Sequence, residues 1–333
     1  VSGPVDLVLE GGGVKGIALA GALEVLEERG YRPQRIAGSS AGAIVGSLTA
    51  FGTPATSLVE ILRATDYRRF LDGSWWRRTP PGALLGLIRH LGIHPATYLE
   101  QWLTEQLAAH APEHDQGTFG ELSYTDPDGL AVSGPPTRLV VTTTDLSGGR
   151  LRHLPRDAAL LGRDPESLSV VEAVRASMAI PLLFRPARWR TGHGTATLVD
   201  GGLLSNFPVD VFDRPTGQTP RWPTFGIRLS ARPPEDPQPL HRISGPIGYA
   251  RALLDTATGF YDRMHIDDPH ALARTIFIDT SAVRATEFSL STTQREQLYT
   301  EGRRAAIRFL DGDDSRRPWD FDRYIAEHRT VGP

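Results

Sequence analysis

The chain has no cysteine among its 333 residues. That excludes disulfides, thiolate-ligated metals and cysteine nucleophiles, without fixing a redox compartment. No stretch approaches ~18 consecutive apolar residues, so no transmembrane helix is expected. No secretory leader is in view, and a leader removed ahead of Val1 stays open. Charge of one sign is missing too: 36 Lys and Arg stand against 39 Asp and Glu, a net −3, which gives no footprint for nucleic acid. The 34 glycines and 26 prolines fall short of a low-complexity composition. There is no internal repeat and no clear interdomain linker. The remaining composition, 40% hydrophobic and 23% charged, suits a large core in a globular protein; a cytoplasmic location is expected.

Hydrophobic runs alternate with helical stretches. Residues 5–9, VDLVL, read as a buried strand and 14–29 as a helix; 35–38 read as a second strand and 41–51 as a very apolar helix. After a less regular stretch, 52–136, strands are expected near 137–143, 195–199, 224–229 and 274–278. Helices are expected near 95–110, 170–178, 246–263 and 291–310. This rhythm predicts an α/β fold, a mostly parallel sheet flanked by helices. Residues 1–312 are expected to form one domain, with 52–136 a cap or insertion and 313–333 a surface tail.

Two glycine motifs stand close together. Gly11-Gly12-Gly13-Val14-Lys15-Gly16 follows the first strand and spells G-x-G-x-x-G, the dinucleotide fingerprint. That fingerprint requires a carboxylate at the end of the second strand for a ribose hydroxyl. Here the second strand ends in Gly38-Ser39-Ser40-Ala41-Gly42, so the nicotinamide-oxidoreductase reading fails at its second element. What stands there is G-x-S-x-G, the sharp strand-to-helix turn that exposes a serine hydroxyl. The bland alternative is a small-residue turn with Ser39 or Ser40 capping the following helix. A serine needs a base. His241, His265 and His270 lie downstream in no motif that marks one, whereas Asp200 ends a strand-like run and precedes Gly201-Gly202. Its bland reading is a D-G turn.

Taken together, Gly11–Gly16, Gly38–Gly42, TTTDLSGGRL at 142–151, ASMAIPLLFRP at 176–186 and DGGLLSNFP at 200–208 resemble the patatin-like phospholipase family. The likeness spans roughly residues 5–230 in the family's order. It implies a three-layer α/β/α fold and a histidine-free Ser–Asp dyad, with Ser40 as nucleophile and Asp200 as base. It also implies an oxyanion hole at Gly11, Gly12 and Gly13. Lys15, Gly16, Gly38, Gly42, Gly201 and Gly202 would support these loops, and Asn206 and Pro208 would shape the segment after Asp200. Lys15 stands where many members carry Arg; the cation is kept and a bidentate contact is lost.

The resemblance implies a serine hydrolase of lipid carboxylic esters of the phospholipase A or lysophospholipase type, needing no metal or cofactor. Acyl transfer to a lipid alcohol would use the same residues. SWWRRTPPGALLGLIRHLG at 74–92 sets Trp75 and Trp76 beside arginines and an apolar stretch, a composition suited to peripheral membrane contact. Headgroup, positional preference and any activating partner stay open. The spacings His90/His94 and His110/His114 read as solvated helix faces, because no further metal ligands are evident. Arg152, Arg156 and Arg163 read as exposed charges, and Asp267-Asp268 as a turn before Pro269.

Overall fold

The computed structural model describes residues 2–73, 79–127, 129, 136–214, 218–230, 243, 245, 249, 268–314 and 316–328. Trp75 and Trp76, His241 and His265, and nearly all of the helix expected at 246–263 lie outside these residues.

An eight-stranded mixed sheet organises the chain. Its parallel half comprises β1 (Pro4–Leu9), β2 (Arg32–Gly38), β9 (Thr224–Arg228) and β10 (Thr275–Phe277), in the order β10-β9-β1-β2. β4 (Leu139–Asp145) joins parallel to β2. Three further strands, β5 (Arg150–Leu154), β7 (Ala187–Thr191) and β8 (Gly194–Asp200), complete the sheet by antiparallel pairing. The expected α/β class holds, and its parallel part matches the strand-helix rhythm of the first 50 residues. The antiparallel part comes from residues 145–200, where short turns join β4 to β5 and β7 to β8, the connection antiparallel pairing permits.

The register around β4 places the functional elements. Val141 pairs with Gly38 of β2 and with Leu154 of β5, so β2 and β5 lie on opposite edges of β4. Thr143 pairs with Arg152 of β5 and with Asp200 of β8, so β5 and β8 are also on opposite edges. A strand has only two edges. β2 and β8 therefore occupy successive stretches of the same edge of β4. Because β2 runs parallel and β8 antiparallel to it, their carboxyl ends meet head to head.

β1 lies between β2 and β9 and is buried on both faces, as central parallel strands are. Val5, Leu7 and Leu9 enter the main core, while Val8 faces a smaller cluster of Ala37, Phe207, Val209, Phe212 and Ala271. The main core lies under α1 (Gly16–Glu28), α2 (Ala41–Ala50) and α8 (Thr292–Asp311). The described part of the opposite layer is the segment Phe207–Phe212 with α7 (Pro269–Ala273). Asp268, expected in a turn, caps α7 by accepting the His270 N–H at 2.9 Å.

The stretch after α2 is mainly helical: α3 (Ala55–Ala64), α4 (Pro80–His90) and α5 (Thr97–His110), with β3 (Gly92–His94) pairing β6 (Leu182–Phe184) in a separate two-stranded sheet. His94 departs from the solvated reading. It is buried, its Nδ1 lies 2.8 Å from the Asp72 carbonyl, and β3 rather than a helix carries it. His114 packs its ring edge-on against Phe51. Residues 316–328, expected as a surface tail, also pack. Trp319 stacks on Phe309 and meets Phe225 edge-on, and α9 (Phe321–His328) buries Tyr324. Sparse aromatics among Asp, Arg and Pro concealed this from the sequence.

α1 and α8 approach through glycines. A Cβ on Gly302 would lie 2.0 Å from the Ala18 carbonyl oxygen, and one on Gly21 2.5 Å from the Tyr299 carbonyl oxygen. Backbone cannot yield as a side chain can, so Gly302→Ala should cost about 1–3 kcal/mol through overpacking, read as a lowered urea midpoint with an unchanged slope.

Candidate active site

Ser40 immediately follows the turn after β2, and Asp200 is the last residue of β8. The head-to-head meeting of these strands brings them together. Ser40 has φ 50° and ψ −120°, backbone that a residue with a Cβ adopts only under strain. Its neighbours must be small for the turn to close. A Cβ on Gly38 would sit 2.3 Å from the Gly42 carbonyl oxygen, and one on Gly42 2.2 Å from that of Leu9. Ser40 occupies the N-cap position of α2, yet its hydroxyl makes no capping bond, so the bland reading of this serine does not hold. Its N–H donates to Ser177 Oγ at 2.9 Å, and its Oγ lies 3.3 Å from Met178 Sδ. The hydroxyl also lies within hydrogen-bonding influence of the Asp200 carboxylate. The Met178 contact is the geometrically aligned one, and a hydroxyl is a rotor that can turn between such partners.

Asp200 is held from three directions. Its N–H donates to the Ala179 carbonyl at 3.0 Å, its Oδ1 accepts the Gly202 N–H at 2.8 Å, and Thr143 faces it across the ladder. The D-G turn is thus present, but the carboxylate also faces Ser40. Burial pushes its pKa up to about 6, while the bonds from Gly202 and Ser40 restrain the rise. Gly201 and Gly202 allow close packing: a Cβ on Gly201 would lie 2.6 Å from both Thr142 O and Oγ1, and one on Gly202 2.7 Å from Asn206 Oδ1.

The first glycine loop lies beside Ser40. A Cβ on Gly11 would come within 3.0 Å of Ser40 Cβ and 2.2 Å of Asn206 Oδ1. Asn206 clamps this residue twice, accepting the Gly11 N–H at 3.2 Å with its carbonyl and donating Nδ2 to the Gly11 carbonyl at 2.8 Å. Gly13, at φ 58°, is confined on its far side, where a Cβ would lie 1.9 Å from the Ala285 carbonyl oxygen. The N–H groups of Gly12 and Gly13 make no hydrogen bond among the described residues. Gly16 opens α1 against Val45 of α2, so two helix N-termini converge here and contribute positive potential.

Buried charges brace the loop. Glu10 accepts the Leu229 N–H and lies 3.1 Å from Arg228 Nε. Lys15 donates to Thr280 Oγ1 at 3.0 Å, and burial pulls its pKa down despite nearby Glu10 and Asp279. Of the other singled-out residues, Arg152 is half-buried and pairs with Asp145 at 2.9 Å, Arg163 pairs with Glu172 at 2.9 Å and Arg156 with Asp157 at 3.0 Å. Reading them as exposed charges overlooked these carboxylates. His270 sits against His328. Ser177, Met178 and Ala179 were given no individual role by the sequence, although the ASMAIP stretch that carries them was conspicuous.

The profile of the family described as patatin-like phospholipase matches residues 7–213. The uncharacterized protein YqhO of Bacillus subtilis is 34% identical over 92% of this chain and 98% of its own length. The uncharacterized NTE family protein Mb2594 of Mycobacterium bovis is 28% identical over 62% of this chain and 28% of its own. Among solved structures, VipD from Legionella pneumophila superposes with a TM-score of 0.51 at 19% identity, covering 92% of this chain and 66% of that one. The ExoU–SpcU complex of Pseudomonas aeruginosa contains a chain that superposes with a TM-score of 0.50 at 20% identity, covering 92% of this chain and 51% of its own. These two likenesses bear on the fold.

Two stability measurements test the geometry. Ser40→Gly should be more stable than Ser40→Ala by about 1 kcal/mol, since glycine alone relieves the backbone at this position; chemical denaturation of both variants reads the difference. Asp200 has its folded pKa raised above the unfolded value, so the folded state binds its proton more tightly. Stability is then lost as pH rises from about 4 through about 6. Asp200→Asn should therefore be more stable than the parent at pH 7 by up to about 3 kcal/mol, with the gain vanishing below pH ~4.

Proposed function

Since the chain belongs to the patatin-like phospholipase family, we propose that it is a serine hydrolase of lipid carboxylic esters. Ser40 is the nucleophile and Asp200 its base. The observation that carries this reading is a buried carboxylate, its pKa raised to about 6, facing the hydroxyl of a serine in strained backbone. A base poised near working pH combines proton affinity with a substantial ionised fraction at neutrality.

In the first half-reaction Asp200 takes the Ser40 proton as Oγ bonds to the ester carbonyl carbon. The carbonyl electron pair moves onto oxygen. We assign Gly12 and Gly13 as the donors to this oxyanion, with Gly11 holding the loop through Asn206. Such a donor, preorganised and shielded from water, is worth about 3–4 kcal/mol of barrier. Collapse breaks the bond to the alcohol, which leaves with the proton from Asp200. Water then gives its proton to Asp200, attacks the acyl-serine, and releases the fatty acid while the proton returns to Ser40. No charged group other than Asp200 need change state. Lys15, tied to Thr280, acts on the loop's position rather than on the substrate.

Ser40→Ala and Asp200→Asn should each abolish release of fatty acid from lipid esters, by product analysis of wild type and variants, while circular dichroism stays that of the parent. With wild type, kcat/KM should climb as pH rises through about 6 and level off above it, because only ionised Asp200 accepts the proton. Near-normal turnover by Asp200→Asn would remove the dyad.

A further inference from the structure

We propose that the exposed face of α4, together with β6, is the surface through which this protein docks on an anionic lipid aggregate; the inference rests on the lipid-ester reading above. α4 is amphipathic. Gly86 packs against β3, where a Cβ would lie 3.5 Å from the Gly92 carbonyl oxygen. Leu84, Ile88 and Leu91 follow one another at helical spacing on the outer side and are 58%, 69% and 50% exposed. Leu182 extends this face. It is 56% exposed, has φ 69°, and pairs with Gly92, the residue after Leu91. Leu85 adds a further exposed side chain. Apolar side chains gathered in this way mark an interaction site, whereas the same residues scattered singly would need no explanation.

The charge pattern selects the occupant. Residues 73–99, the stretch that supplies α4 and β3, carry three arginines and no carboxylate. At the chain's mean frequency such a stretch would hold about three carboxylates. The chain as a whole has a net charge of −3, so this stretch runs against its balance. Arg89, exposed on the last turn of α4, lies among the leucines. Apolar side chains set among cations fit a surface of acyl chains beneath anionic headgroups. A second copy fits poorly, because a two-fold contact through this face would oppose arginine to arginine.

The surface also leads to the dyad. Met178, beside the Ser40 hydroxyl, is four residues from Leu182, which limits their Cα separation to about 14 Å. Ala179, between them, accepts the Asp200 N–H. A lipid aggregate on this face would therefore present esters near Ser40, itself only 3% exposed.

The test uses the whole 333-residue chain carrying Ser40→Ala, so that vesicles are not consumed, and flotation with unilamellar vesicles of phosphatidylglycerol and phosphatidylcholine. Adding Leu84→Gln and Ile88→Gln should weaken partitioning by about tenfold, with a thermal midpoint close to the parent's because both side chains are exposed. A separate Arg89→Glu variant should weaken binding to the anionic vesicles and leave binding to pure phosphatidylcholine alone. Binding unaltered by these substitutions, or no binding by the parent, would overturn the docking surface. So would a dimer that the leucine substitutions dissociate in sedimentation velocity. Because binding is measured without turnover, loss of binding in a protein that hydrolyses no ester would keep the surface and discard the hydrolase reading.

Discussion

One edge of β4 carries two strands in succession, and the site depends on that arrangement. β2 leaves this edge after Val141, and β8 arrives on it at Thr143 from the opposite direction. Two carboxyl ends meeting in line bring a serine and an aspartate together although 160 residues separate them in sequence. Among the described residues no histidine hydrogen-bonds to either side chain. Ordinary parallel sheets gather ligands at the carboxyl ends of neighbouring strands. Here an antiparallel strand brings its own carboxyl end to the same place.

This geometry is costly, and the surroundings show how the cost is borne. Ser40 sits in strained backbone, and among the described residues Asp200 is a buried carboxylate with no cation against it and two loop N–H groups have no partner. Each would relax if its neighbours allowed. Asn206 prevents the glycine loop from relaxing by bonding both polar groups of Gly11, and Lys15, Glu10 and Arg228 hold the loop's flanks to Thr280 and Leu229. α2 is buried along its whole length, so the turn that precedes it cannot shift without disturbing the core. Strain of this kind persists only where packing over-determines it.

Much of this was legible in the sequence, for reasons that differ by element. β1, α1, β2 and α2 were readable because short buried strands and Ala- and Leu-rich helices alternate there without interruption. The pairing of Ser40 with Asp200 followed from the joint motif, not from spacing. The head-to-head strands could not be read, because hydrophobic pattern gives a strand's existence and not its direction. β5 and β7 were missed because charged residues interrupt both, RLRHL and ARWRT. His94 looked solvated because its spacing to His90 suggested one continuous helix, whereas α4 ends at a left-handed Leu91. Packing of Trp319 against Phe309 and Phe225 depends on partners 10 and 94 residues away, and no local pattern encodes it.

The ambiguity of Gly11-Gly12-Gly13 resolves at the same physical level. In a dinucleotide loop the absent side chains make way for a pyrophosphate. Here the room they would take is already filled by protein: Asn206 beside Gly11, Leu229 beside Gly12, and the Ala285 carbonyl beside Gly13. Each glycine is required by a different neighbour, and none of those neighbours is a ligand. The N–H groups of Gly12 and Gly13 stay unbonded among the described residues, one and two positions beyond Gly11, which lies against Ser40. A cofactor of many atoms would need contacts that this loop has already given to the protein. The single oxygen of the proposed tetrahedral intermediate would need only those two.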